Sequence, residues 1–163
     1  MKLRDIKLRI LITMLSRQYC FEQGNRTEEA FVDAMIRYGY FPIKSKPHHD
    51  MVDHIDYFVE GVGFDVKGNR HWDCIWLELN NVQGKDGWLK GKAKYIVMHI
   101  VEFNNFCFFK RQDLLDFCSQ FTEVAKSKQE YKKLYTREGR QDVLVKVTYD
   151  DIRKFNALSV VYD

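Results

Sequence analysis

DYFVEGVGFDVKG, residues 56–68, sets two aspartates and a lysine along two short β-type runs joined by a glycine-containing turn. Its register decides which side chains meet. With Gly61 and Val62 as the central residues of a two-residue loop, Glu60 pairs with Gly63, Phe58 with Asp65 and Asp56 with Lys67. Side chains alternate along a strand, so Asp56, Asp65 and Lys67 share one face and Asp53 points to the other. Opposed Cβ atoms in a hairpin lie about 4.5 to 5.5 Å apart and diagonal ones about 7 to 8 Å, close enough for two carboxylates to share a cation. On composition alone the hairpin also reads as an exposed one in which Lys67 offsets both acids, for about 0.2 to 1 kcal/mol per pair.

The next run, CIWLELN at 74–80, places Trp76, Glu78 and Asn80 on one face and Ile75, Leu77 and Leu79 on the other. Glu78 is a charge in an otherwise apolar strand, and an unpaired buried charge is costly. A divalent cation or Lys67 would satisfy it. The runs IDYFV, GFDVK and CIWLELN are therefore expected as three consecutive antiparallel strands.

Upstream, RTEEAFVDAMIRYGY at 26–40 reads as a helix. Asn25 and Glu28 form a capping-box variant, Phe31, Val32, Met35 and Tyr38 its apolar stripe, and Gly39 its stop. A first amphipathic helix is expected over residues 2–18, and PIKSKPHHDMV at 42–52 as a turn-prone loop. Downstream, GKDGWLKGKAK at 84–94 suggests a glycine-punctuated turn with one helical turn. YIVMHIVEF at 95–103 is nearly continuous in apolar residues, as a central strand is, with FCFFKR as its hairpin partner. RQDLLDFCSQF at 111–121 has helical spacing, and the basic segment at 126–140 is expected to be helical or mobile. DVLVKVTY then reads as a last strand and DDIRKFNAL as a short closing helix. The predicted class is α/β in the α+β sense, with a mixed central sheet flanked by helices.

At 163 residues the chain reads as one domain over 1–163, its core about 26–155, long enough to bury roughly 70% of its unfolded surface. A 45% hydrophobic and 15% aromatic composition predicts a packed core without help from disulfides. Cys20, Cys74, Cys107 and Cys118 lack CxxC spacing and sit among apolar neighbours, which fits free thiols in a reducing, cytoplasmic setting. The uncharged run in the N-terminal stretch is too short for a signal sequence or a membrane span.

The net charge of +3 is too small to identify a nucleic-acid binder, but lysines gather locally at Lys85, Lys90, Lys92 and Lys94, and again between Lys126 and Arg140. Such clusters can track a phosphate backbone, and the second also reads as a solvated helix face. His48, His49, His54 and His71 offer ligands at loop positions, yet their spacing fits no standard zinc module. No Walker-type loop, GxGxxG or GxSxG is present, which removes support for nucleotide hydrolysis, dinucleotide redox chemistry and serine esterase activity.

The ordered set Asp56 followed by Tyr57-Phe58-Val59, then Asp65-Val66-Lys67 on the partner strand, resembles the PD-(D/E)xK nuclease superfamily. The resemblance spans residues 28–110. Glu28, Met35 and Gly39 look like the leading helix of Holliday-junction-resolvase-like members. Glu78, Gly87-Trp88-Leu89 and the run from Ala93 to Ile96 are similar to a block of phage-encoded ones. Ile55 stands where the superfamily often has proline.

The resemblance implies a restriction-endonuclease-like fold and a metal-dependent deoxyribonuclease, most simply an endonuclease, acting in the cytoplasm, or in a host's if the chain is phage-encoded. Asp56, Asp65, the Val66 carbonyl and Glu78 would hold Mg²⁺ or Mn²⁺, while Lys67 orients the attacking water and Glu28 contacts a metal-bound water from the helix. Lys85, Lys90, Lys92, Lys94 and Gln83 would meet DNA phosphates. Cutting both strands implies a homodimer. The alternatives are a catalytically inactive module of the same fold that binds DNA or protein, and a small metal-binding regulator using the histidines.

Overall fold

A computed structural model of the protein describes residues 22–161, so the helix expected over 2–18 and Cys20 lie outside the described residues. Helix α1 occupies 22–37 within them and runs through Asn25, which is therefore not its cap. Of the predicted stripe, Phe31 and Met35 are buried, joined by Ala34, and Val32 is half-buried against the same core, while Tyr38 lies past the last helical residue and is exposed. Gly39, at φ +83°, supplies the left-handed turn that ends the helix.

The stretch expected as a loop at 42–52 instead carries strand β1 (Ile43–Lys44) and helix α2 (Pro47–Met51). Pro47 suits the start of α2, because in the first helical turn its missing N–H costs nothing.

Strands β2 (Tyr57–Val59) and β3 (Val62–Arg70) form the predicted hairpin with a different turn. Glu60 at φ +49° and Gly61 at φ +78° are its central residues, as a type I′ turn requires, and Val59 pairs with Val62 and Tyr57 with Phe64. Continued by one residue, this register sets Asp56 opposite Asp65 rather than Lys67. The displacement is two residues, an even number, so every side chain keeps its expected face.

The third run does not continue this sheet. Strand β3 has β2 on one edge and β5 (Tyr95–Ile100), parallel, on the other. Strand β4 (Ile75–Asn80) therefore pairs elsewhere, antiparallel to β8 (Val143–Val147), which also pairs with β7 (Leu134–Tyr135). The main sheet is completed by β6 (Asn105–Lys110) and β9 (Asn156–Val161), in the order β1-β2-β3-β5-β6-β9. Its one parallel pair makes it mixed, as expected.

Helix α3 (Arg111–Ser119) follows β6 as predicted. The segment 126–140 is not a helix: it contributes β7 and turns, one of them tied by Glu130 accepting from the N–H groups of Lys126 and Ser127. The closing helix is short, α4 (Tyr149–Ile152), with a Thr148–Asp151 capping box, and gives way to a 3₁₀ turn and then β9, a strand the sequence reading did not anticipate.

Strand alternation sorts the core into two. Phe31 of α1 packs on Tyr57, Phe64, Val97, Phe106 and Phe108 on one face of the main sheet. On the other face Ile96, Met98 and Phe109 meet Leu77 and Val145 of the small sheet and Leu114 of α3. Asp65 and Lys67, in register with Ile96 and Met98, lie on the small-sheet side.

Candidate active site

Asp56 and Asp65 are 7% and 1% exposed and face each other across the hairpin. Asp56 Oδ2 accepts the Val66 N–H at 2.7 Å, while its own N–H donates to Phe64 at 2.8 Å. Asp65 Oδ1 pairs with Lys67 Nζ at 2.6 Å, and Asp65 Oδ2 is buried without a hydrogen-bond partner. Burial, and after it the charge of Asp65, push the Asp56 carboxyl up to about 7, against the pull of Lys67 and the Val66 N–H. Two buried carboxyls this close retain a proton that exposed ones would lose. Lys67 is fixed from above by the buried Trp88, whose ring centre lies 5.6 Å from Nζ.

A fourth charged group joins them through a β-bulge. Lys67 pairs with Met98 and Arg70 with Ile100, so three steps on β3 match two on β5. Strict alternation would turn Arg70 toward α1; the extra residue turns it to the acid side. Arg70 Nη1 donates to Gly68 at 3.0 Å, and its Nε is buried with no partner. Burial lowers its pKa, and the negative charges of Asp65 and Glu78 oppose that. Gly68 belongs to this device: a Cβ there would come within 2.4 Å of Thr27 Oγ1 on α1. Arg70 is not among the residues that the sequence pattern singles out, although a glycine inside a strand, here Gly68, is the signal that marks such bulges.

Glu78 keeps the predicted face with Trp76, and its negative charge reaches Arg70 without an ion pair forming between them. Gly87 lies against it, where a Cβ would approach the Glu78 carbonyl to 2.7 Å. Among the described residues, no three His, Cys, Asp or Glu side chains cluster as an ion site. A cation here would rest on Asp56 and Asp65, with backbone carbonyls such as that of Val66 and waters.

The remaining predicted residues are spread out. Glu28 is ion-paired with Lys44 beside Tyr57, whose ring packs on the α1 side of the sheet, and the charge of Asp56 reaches both Lys44 and Tyr57. Gln83 and Lys85 sit in a turn organised by Asn81. Lys90 Nζ donates to Asn80 at 2.8 Å, Lys92 pairs with the buried Asp53 at 2.8 Å, and Lys94 stands over Tyr95. His49 and His71 each meet a carboxylate, Asp53 and Glu102. Cys74, Cys107 and Cys118 are free thiols. Among the described residues, no helix is long and apolar enough to cross a membrane.

Beside the acid site a cleft of about 340 Å³ opens on the polar face of the small sheet, with Arg70 and Trp88 on its near wall. Comparison with known protein families, curated proteins and solved structures finds no match for the chain.

The carboxyl pair fits a hard divalent cation. Asp65 Oδ2 is buried with no hydrogen-bond partner, and a cation would offset both the burial and, after it, the Asp65 charge that raise the Asp56 carboxyl. Mg²⁺ and Mn²⁺ take such oxygen ligands and retain waters.

Proposed function

We propose that the protein is a Mg²⁺- or Mn²⁺-dependent deoxyribonuclease, most simply an endonuclease of restriction-endonuclease-like type. The observation that carries this reading is the buried Asp56–Asp65 pair with an unpartnered carboxylate oxygen and Lys67 at 2.6 Å. A leading helix, the hairpin bearing Asp56 and Asp65-x-Lys67, and a following parallel strand also support kinship with the PD-(D/E)xK superfamily.

Asp56 and Asp65 would hold the cation, which when bound supplies charge neutralisation and an acidified water. Lys67, anchored by Asp65 and Trp88, places a positive charge where negative charge grows on the phosphoryl oxygens. Arg70 adds a second cation on the same side of β3 and neutralises the approaching phosphodiester. The proton held by Asp56 must leave before both acids can bind a metal, so activity rises with pH through about 7. A homodimer would supply the two sites needed to cut both strands, and the free thiols fit a reducing cytoplasm.

The test is incubation of the purified protein with supercoiled, linear, single-stranded and branched DNA in Mg²⁺, Mn²⁺ or chelator. Metal-dependent cleavage that Asp65→Ala abolishes and Lys67→Ala slows about 10²- to 10³-fold is expected. Absence of cleavage on every substrate, or cleavage indifferent to Asp65→Ala, overturns the reading and leaves the inactive binding module.

A further inference from the structure

We propose that the cleft beside the acid pair takes an unstacked nucleotide of a single strand, which makes unpaired nucleic acid the preferred ligand. Its walls carry three cations, Arg70, Lys128 and Arg137, and three aromatic rings, Trp76, Trp88 and Tyr135. Glu78 is the one carboxylate among them. This is the composition that single strands select: cations for the backbone and ring faces for bases freed from a stack.

The cations are held in place. Arg137 is fixed by Asp142, fully buried, which pairs with its Nε and accepts its backbone N–H at 3.0 Å. That leaves the outer guanidinium nitrogens to meet an anion. Arg70 brings a buried Nε that no acceptor satisfies, and Lys128 is exposed at the rim. Buried donors without acceptors are uncommon in folded proteins, and a ligand oxygen would complete this one.

Trp76 and Tyr135 pack on each other, so a base would stack on an outward face of the pair rather than between the rings. The two come from β4 and β7, their centroids 5.5 Å apart and planes 37° to each other, and both remain partly exposed. A volume near 340 Å³ lies at the small end of ligand clefts, enough for a nucleotide and too narrow for a duplex some 20 Å across. Glu78 can accept from an exocyclic amino group of a base, as carboxylates do with cytosine. Arg70 contacts both compartments electrically, through Asp65 on one side and Glu78 on the other. A strand in the cleft would therefore pass its neighbouring phosphate toward the acids. That last step rests on the nuclease reading, whereas binding in the cleft does not.

The test measures binding in chelator, where no cleavage occurs, by fluorescence anisotropy of labelled twelve-nucleotide oligodeoxycytidylate, oligocytidylate and a mixed-sequence duplex. At least one single strand should bind ten-fold or more tightly than the duplex, and the better of the two identifies the sugar. Trp76→Ala should weaken single-strand binding about 5-fold or more. Lys128→Ala, at an exposed position that leaves the fold intact, should weaken it and lower the salt slope by about one. Equal or tighter duplex binding overturns the inference, as does wild-type single-strand affinity in Lys128→Ala and a folded Trp76→Ala. Single-strand binding without metal-dependent cleavage would refute the nuclease reading and leave the cleft standing. Cleavage of duplex by a protein whose cleft variants bind normally would do the reverse.

Discussion

Replacing Asp56 with asparagine should make the metal-free protein more stable at alkaline pH. Moving a carboxyl from the ordinary 3.8 to about 7 makes its ionised form about 4 kcal/mol costlier in the fold than in the unfolded chain. Between these values the folded state binds more protons than the unfolded one, so stability falls as pH rises through the window and levels off above about 7. Asparagine keeps the shape and still accepts the Val66 N–H, losing about 1 kcal/mol as a charged acceptor becomes neutral. The net gain at pH 8 is about 3 kcal/mol, which for a chain of this size is about 6 to 12 °C in melting temperature. At pH 4.5 the wild-type carboxyl is protonated in the fold and the gain should nearly vanish. Thermal unfolding followed by circular dichroism in chelator at both pH values measures it. A variant that melts below wild type by the same amount at both would show that the fold does not hold Asp56 protonated, and the crowding of charge that a cation would relieve would be absent.

The same proton sets the metal dependence. Below about 7 each cation must displace it, so the stabilisation conferred by Mn²⁺ should need roughly ten-fold more metal per pH unit lowered, measurable by calorimetry or melting shifts. An affinity flat from pH 5.5 to 8 would separate the metal from this pair. Gly68→Ala should destabilise the protein by about 1 to 3 kcal/mol through its overlap with Thr27, read in denaturant unfolding. A neutral result would mean that α1 is not held against the bulge.

How far the site was legible follows from what each rule constrains. Alternation fixes faces, and the faces of Asp56, Asp65, Lys67 and Glu78 were foreseen even though the turn was assigned to Gly61-Val62. Glu60 at positive φ gave no signal, because few side chains other than asparagine, aspartate and glycine favour it. Alternation does not say which edge a strand joins. The partner of β4 lies more than sixty residues away in β8, and periodicity carries nothing about it. Arg70 escaped for the opposite reason: a single extra residue in β3 reverses alternation locally. The basic segment at 126–140 reads from its sequence as helical or mobile and instead forms β7 and turns, because Tyr135 and Arg137 draw their place from pairing with β8 and from Asp142. The lysines at 85–94 were grouped by sequence proximity, but turns at Asn81 and Gly87 point them to different partners.

The charges around the bulge couple the binding of metal to that of DNA. With Asp56 protonated, Asp65 and Glu78 balance Lys67 and Arg70, and the set is neutral. Ionising Asp56 leaves one excess negative charge, which repels a phosphodiester. A divalent cation turns that into one excess positive charge, which a single phosphodiester cancels. Metal and DNA should therefore bind cooperatively, and because coupling is reciprocal each should tighten the other by the same factor. Ca²⁺, an oxygen-seeking cation of the same charge, is a suitable probe. At pH 8 it should raise affinity for a labelled oligonucleotide about 5- to 100-fold, the span of ordinary coupling energies, and Asp65→Ala should erase the effect. In Asp65→Ala, affinity in chelator should rise instead, since one negative charge is gone. Tightening by Ca²⁺ that survives in Asp65→Ala, or weaker binding by that variant in chelator, would place the cation elsewhere and refute the charge balance.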